Sequence, residues 1–331
     1  MKAFTYKNTK TNIPNWEKNT HESQIYGYGY ETDTHFVHFY GKESFFIISV
    51  GLTVIEAKTR TYTKWLNERF GATEIEEMNV PIGHTIDGIW RPSLYYWNDI
   101  QAGLNISANE QRSQEQALRI LVEKLDEILL FIEPSQEGLQ TYSHKIRDLL
   151  ILACTEVENQ WRSLLNKANH QPINGNAFTT KDYVKLSPIS HFHEYEIGLR
   201  SYDSFSASKP FENWDINNPT KSLAWYNAYN ETKHNRDQHF SSATFQSAID
   251  AVAANIILYC TRFSPFILIN DTNTLSGLIK QIFDIRIVEA DRKSFYLPLL
   301  EFPENTRKDC FVYDCYRNNH NKTWIVENLC I

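Results

Sequence analysis

Hydrophobic residues follow two different spacings along the chain. Near the N-terminus and again after residue 265, short segments rich in β-branched and aromatic residues alternate in the way typical of strands. They lie at 35–40, 45–50 and 52–57 on the N-terminal side, and at FILIN, IRIVEA, FYLPLL, CFVYDCY and TWIVENL on the C-terminal side. Short helices are predicted near 63–70 and 275–283.

Between residues 107 and 265 the apolar residues recur at intervals of three and four, which predicts amphipathic helices at 107–132, 143–168, 219–238 and 242–263. Ser107 with Glu110 is typical of a capping box, and Pro265 stops the last helix. The sequence therefore predicts an α+β fold with an antiparallel helical bundle at its centre. A β-rich or mixed domain at 1–106 precedes the bundle, and a β-containing segment at 266–331 follows it, with its packing on the N-terminal domain left open.

Composition narrows the function classes. The chain has 331 residues, 42% of them hydrophobic, a net charge of −7 and a pI near 5.9. This charge argues against an extended surface that coats nucleic acid, although a small basic pocket stays open. Five cysteines, no signal-peptide pattern and no long apolar run favour a cytoplasmic protein with reduced thiols that does not enter a membrane.

The segment WYNAYNETKHNRDQHF (225–240) concentrates groups that bind phosphate or move protons. At about 100° per residue, His234 and Arg236 would point about 200° apart on one helix. Either one of them faces the protein or the helix ends before Arg236. The candidate catalytic residues are Lys233, His234, Arg236 and His239, and the candidate substrate-binding residues are Glu156, Tyr229 and Asn230.

These residue types suit metal-independent cleavage of RNA. Imidazoles transfer protons near neutral pH, cationic side chains hold a phosphodiester, and RNA supplies its own 2′-hydroxyl nucleophile. A plainer alternative stays open, in which the same groups satisfy one another at a helix end. Arg236 would then pair with an acidic residue of the second helix, and Glu156 would form a structural salt bridge.

Other sites have weaker signals. His191, His193 and Glu194 resemble part of a metal site, but no third and fourth ligand follow at a recognisable spacing. The pair Gly27 and Gly29 is not a dinucleotide fingerprint, and a nucleophile elbow is absent from the sequence. We therefore expect neither a metal nor a cofactor.

Three segments, ACTEVE (153–158), SLAWYNAYNETKHNR (222–236) and SSATFQSAIDAVAANIILY (241–259), together resemble the HEPN-like helical domain of bacterial proteins. The resemblance covers about 107–265. It implies a helical bundle that often dimerises and that frequently acts as a metal-independent RNase in toxin, CRISPR-associated and anti-phage systems. The family's usual motif is an arginine followed several residues later by a histidine, whereas only two residues separate Arg236 from His239.

Two functions follow as expectations. The first is an RNA-cleaving or RNA-binding effector of bacterial defence, whose site forms where two copies of the 225–240 helix meet. The second is a non-catalytic dimerisation and partner-binding module. For the second, the aromatic residues Trp90, Tyr95, Tyr96 and Trp97 would form a protein-binding surface, unless they belong to the core.

Overall fold

The structure is a computed structural model, and it describes residues 1–10, 24–42, 53–301, 311–313 and 323–331. It is a mixed α and β protein with an antiparallel sheet. The chain divides into two compact units. The sheet unit comprises Met1–Asp87, Arg91–Asn105 and Ala290–Glu327, and the helical unit comprises Gly88–Trp90, Ile106–Glu289 and Asn328–Ile331.

The described strands are β1 (Ala3–Lys7), β2 (Tyr26–Glu31), β3 (His35–Gly41), β4 (Thr53–Ala57), β5 (Thr73–Glu77), β6 (His84–Ile86), β7 (Tyr195–Leu199), β8 (Phe283–Ile287), β9 (Phe311–Tyr313) and β10 (Ile325–Glu327). The described helices are α1 (Tyr62–Phe70), α2 (Trp97–Leu104), α3 (Ala108–Leu129), α4 (His144–Lys167), α5 (Thr180–Tyr183), α6 (Ser187–Ser190), α7 (Ala224–His234), α8 (Arg236–His239), α9 (Phe245–Phe263), α10 (Pro265–Asn270) and α11 (Thr274–Ile282).

The sheet unit is built on a sheet with the strand order β5-β1-β2-β3-β4-β9, in which the pairs are antiparallel. Helix α1 packs an apolar face, including Trp65 and Phe70, on this sheet. The buried Glu56 carboxylate of β4 accepts hydrogen bonds from the indole of Trp65 and from Arg69, at 2.7 Å and 2.9 Å. Burial opposes ionisation of Glu56, but these donors prevail and hold its pKa below the ordinary value.

The helical unit is organised around α9. Every residue of α9 from 251 to 263 is buried, and α9 packs against α3, α4 and α7. Asn255 joins α9 to α4, because its Nδ2 donates to the backbone carbonyl of Ala153 at 2.9 Å and its Oδ1 accepts from Gln160 at 2.8 Å. Arg262 joins α9 to α3 through two hydrogen bonds to Glu110, at 3.0 Å and 2.9 Å.

The two long central helices confirm the prediction from apolar spacing. Ser107 caps α3 and Ser143 caps α4, since each hydroxyl accepts a backbone N–H of the first turn. The strands predicted at 35–40 and 52–57 correspond to β3 and β4, and the helices predicted near 63–70 and 275–283 correspond to α1 and α11. The strand predicted at 45–50 lies outside the described residues.

The strand predicted for FILIN was wrong, because this segment is helix α10. Pro265 occupies the first turn, and the Ser264 hydroxyl accepts the backbone N–H of Phe266 at 3.2 Å, so the local sequence starts a helix. The segment 183–186, for which strand or turn was predicted, is helical. Residues 266–289 lie in the helical unit, where α10 packs on α9, α11 packs on α3, and β8 pairs with β7.

Among the helices in the described part of the chain, none is both long enough and apolar enough to cross a membrane.

Replacing the buried amide of Asn255 tests the packing of α9. Asn255→Ala leaves the Gln160 amide and the Ala153 carbonyl without their partner, and should lower the free energy of unfolding by about 2 kcal/mol. Urea unfolding followed by the helical circular-dichroism signal measures this. Asn166→Ala, on the exposed side of α4, is the control and should change the value by less than about 0.5 kcal/mol. Equal effects of the two substitutions would contradict the role given to Asn255.

Candidate functional site

Aromatic burial fixes the position of α7. Trp225, Tyr226 and Tyr229 are buried, and the rings of Trp225 and Tyr226 lie 6.4 Å and 5.5 Å from the ring of Trp161 on α4. Their spacing of one, three and four residues places them on one face of α7. Because this face is held against α4, the polar side chains at the end of α7 lie beside α4 as well.

Helix α7 ends before Arg236, which is one of the two alternatives that the sequence allowed. Its last residue is His234, and Asn235 leaves the helical conformation with φ −141° and ψ 69°. The short helix α8 and a 3-10 turn at Phe240–Ser242 follow. Residues 233–238 are exposed, so the cationic end of this segment faces solvent.

A line of polar contacts joins α7 to α4, and we call it the α4–α7 seam. The hydroxyl of Tyr226 donates to Glu158 at 2.7 Å. Burial raises the pKa of Tyr226, and the neighbouring Glu158 carboxylate raises it further, so this phenol stays protonated. One turn later, Lys233 Nζ donates to the Tyr229 hydroxyl at 2.6 Å, and this hydrogen bond raises the pKa of Lys233.

Arg147 of α4 continues the seam at the end of α7. Its Nη2 donates to the backbone carbonyl of Thr232 at 3.1 Å. The last carbonyls of a helix lack intrahelical partners and carry partial negative charge, so a guanidinium is stabilising there. Tyr226 contacts α4 near Glu158, whereas Thr232 contacts it at Arg147, so the two helices run antiparallel.

At the end of the seam, Arg236 meets the first residue of α4. Arg236 Nη2 lies 3.3 Å from Nδ1 of His144, and both side chains are exposed. The ring of Phe240 lies 4.8 Å from the ring of His144 and 5.9 Å from the guanidinium carbon of Arg236. A guanidinium has no acceptor, so this contact requires an imidazole with an unprotonated Nδ1. The pair therefore places an imidazole nitrogen that is able to accept a hydrogen beside a permanent positive charge.

His239 has a carboxylate partner. Its Nδ1 lies 3.8 Å from Glu231 Oε2, and the other Glu231 oxygen accepts from Asn227 at 2.8 Å. An imidazole is able to give or accept a proton near neutral pH, so His239 is a candidate proton-transfer group.

The remaining predicted residues have other environments. Asn230 Nδ2 donates to the backbone carbonyl of Tyr226 on its own helix at 3.0 Å. Glu156 accepts from Asn159 on its own helix at 3.4 Å, and the carboxylate that acts on Lys233 is Glu158 rather than Glu156. His234 is exposed at the last position of α7.

Sequence reasoning missed three residues of this surface, namely His144, Arg147 and Glu158. Glu158 rather than Glu156 contacts α7. Residues two positions apart on a helix point in different directions, and Glu158 lies on the face of α4 that is next to Tyr226. The sequence did contain a signal for His144. Ser143 was the predicted start of the second helix, and in a pair of antiparallel helices the start of one lies beside the end of the other.

The HFHEYE segment, which was considered as a metal site, is not the strand that would place His191 and His193 on one face. His191 lies in the left-handed region with φ 55°, and a 3-10 turn spans Phe192–Glu194. His191 Nδ1 is 2.9 Å from the buried Glu194 carboxylate. Across the described ranges, no group of three or more histidine, cysteine or acidic residues is placed to hold a metal ion.

The aromatic residues considered as a binding surface do not share one environment. Trp90 is 1% exposed and lies in the helical unit, whereas Trp97 is 51% exposed and begins α2 of the sheet unit. Tyr95 and Tyr96 are half-buried and contact each other edge to face, at 4.9 Å between ring centroids. Trp90 therefore belongs to a core, and the exposed area is small.

Comparison of the chain with protein-family models, with curated proteins and with solved structures finds no match. Any functional assignment therefore rests on the geometry of the chain itself.

Removing one hydroxyl tests the electrostatics of the seam. Tyr229→Phe removes the acceptor that raises the pKa of Lys233, so this pKa should fall and more free amine should be present at mildly alkaline pH. The rate of acetylation of Lys233 by acetic anhydride, measured by mass spectrometry, should rise. Tyr226→Phe removes a hydroxyl that donates to Glu158 instead, and should change the rate less. An unchanged rate in Tyr229→Phe would contradict this account of the raised pKa.

Proposed function

We propose that this chain is an HEPN-like RNA-binding protein that cleaves RNA without a metal ion. Its site lies where α7 ends beside the start of α4. The observation that carries the proposal is the contact between Arg236 and His144, in which a phosphate-binding cation and a proton acceptor share one exposed surface. Arg147 adds positive charge at the same end of the seam.

The chemistry assigns a separate role to each group. A bound phosphodiester attracts Arg236, and Nδ1 of His144 is then free to accept the proton of the RNA 2′-hydroxyl. The 2′ oxygen attacks phosphorus, and Arg236 stabilises the charge that develops on the phosphoryl oxygens. His239, as its imidazolium, gives its proton to the leaving 5′ oxygen. The products are a 2′,3′-cyclic phosphate and a 5′-hydroxyl.

The biological setting in the proposal is bacterial defence of the anti-phage or toxin type, in the cytoplasm. It rests on the resemblance of residues 107–265 to HEPN-like domains. The packing of α3, α4 and α7 around α9 supports a bundle of that kind. A homodimer through the helical unit would bring two copies of the α7 end together and double the local positive charge.

RNA cleavage in the presence of a chelator tests the proposed activity. His144→Ala and Arg236→Ala should each slow the release of cyclic-phosphate ends by about a hundredfold or more, because each removes a transition-state interaction. Binding of RNA to the wild type should weaken as salt rises. Arg119→Ala, which removes an exposed arginine of α3, is the matched control and should leave the rate unchanged. Cleavage that needs a metal, or that survives both substitutions, would overturn the proposal.

A second function, that of a non-catalytic dimerisation and partner-binding module, is favoured by one observation. Leu130 and Phe131, where α3 ends, are 75% and 80% exposed. Exposed apolar neighbours of this kind mark protein contact sites more often than isolated ones do.

Light scattering of the purified full chain tests the dimer. If this apolar surface joins two copies, Phe131→Asp should convert a dimer into a monomer, since a buried unpaired charge is costly. Ile216→Asp is the matched control, because Ile216 is 66% exposed elsewhere in the helical unit and should leave the dimer intact. A dimer that tolerates Phe131→Asp, or a monomeric wild type, would count against this surface.

A further inference from the structure

A cavity of about 290 Å³ lies within the helical unit, at the opposite end of α7 from His234. Its walls come from the loop 207–213, from the residues around the start of α7, and from the first turns of α9. The volume is near the lower end of the range for small-molecule pockets, and it has room for a molecule of roughly ten heavy atoms.

The carboxylate of Asp250 faces this cavity and is held in place by two neutral donors. Ser208 Oγ donates at 2.6 Å and Gln246 Nε2 donates at 2.9 Å. Ser208 is itself fixed by a backbone bridge to Ile197 of β7. Both side-chain bonds are made to Oδ1 of Asp250, so they leave Oδ2 for a ligand.

The other charges of the cavity wall compensate one another. Lys209 and Glu212 line it together with Asp250, and Lys209 Nζ lies 3.5 Å from Glu212. Lys209 also lies 3.9 Å from Glu196, which Arg286 contacts at 2.7 Å. Asp250 alone among the charged lining residues is held by neutral partners rather than by an ion pair. A carboxylate among protein atoms without a cation is costly to ionise.

The titration of Asp250 agrees with this environment. Burial raises its pKa to about 6, although the hydrogen bonds from Ser208 and Gln246 oppose the shift. At neutral pH the carboxylate is therefore mostly ionised, and the cavity carries one uncompensated negative charge.

We propose that this cavity binds a small organic cation whose ammonium or guanidinium group pairs with Oδ2 of Asp250. A divalent metal ion fits less well, because it needs several oxygen ligands and no group of three or more acidic, histidine or cysteine residues is gathered at this cavity among the described residues. Ser208 Oγ and Gln246 Nε2 each direct one hydrogen toward Oδ1 of Asp250. An organic cation needs only one such carboxylate, and the cavity volume accommodates its carbon chain.

Calorimetric titration of the full chain with agmatine, which carries both cationic groups, tests the proposal. Wild-type protein should bind it at neutral pH. Asp250→Asn keeps an Oδ1 acceptor for Ser208 and Gln246 but removes the charge, so it should fold normally and bind about tenfold more weakly or worse. Glu212→Gln is the matched control, because it removes a carboxylate of the same cavity that is already paired with Lys209. It should change the affinity by less than about threefold.

The pH dependence gives a second readout with a defined sign. Protonation removes the charge of Asp250, so agmatine affinity should fall as the pH drops through about 6 and should level off above neutral pH. Lys209, Glu212 and Glu196 are the other charged groups at or beside the cavity wall. The proposal is overturned if agmatine does not bind, if Asp250→Asn binds it as tightly as wild type does, or if magnesium alone displaces it.

Discussion

The burial of α9 is the constraint on which the helical unit depends. Thirteen consecutive residues, 251–263, have no solvent-exposed side, so α9 needs neighbours on every face. Ala251, Ala253 and Ala254 keep it narrow and let the neighbouring helices approach. Two of its polar side chains bond to the same neighbours, Asn255 to α4 and Arg262 to α3. Apolar burial therefore stabilises the helical unit, and the polar hydrogen bonds determine which helix packs on each face of α9.

This packing determines the chemistry of the surface. Helices α4 and α7 both contact α9, and their antiparallel arrangement sets the end of one beside the start of the other. Arg236 reaches His144 only because α7 ends at His234 and the chain turns at Asn235. The groups deeper in the seam, such as Tyr226 and Glu158, are committed to holding the helices together. In the proposed function, the exposed groups at its end are the ones that bind the phosphodiester.

Local signals explain which parts of this structure the sequence could predict. Apolar spacing together with the caps Ser107 and Ser143 located α3 and α4 to within a few residues, because these signals act within one turn. The short apolar run FILIN does not distinguish strand from helix by periodicity, and its cap at Ser264 decided the outcome. The candidate segment 225–240 was found from its composition, but its partner His144 lies 92 residues away from Arg236. No local sequence pattern predicts the contact between these two residues. On α4, the residue that contacts α7 is Glu158 rather than the predicted Glu156, and the two differ by only two positions.

The most direct test of the central claim is whether His144 and His239 sense RNA at the same surface as Arg236. A 2′-O-methyl oligoribonucleotide lacks the nucleophile, so it binds without being cleaved while the histidine ring resonances are followed by NMR. The account predicts that the resonances of both rings shift as the oligonucleotide saturates the protein, and that Arg236→Ala removes the binding and the shifts together. Binding that leaves both rings unmoved, or that persists unchanged in Arg236→Ala, would contradict it.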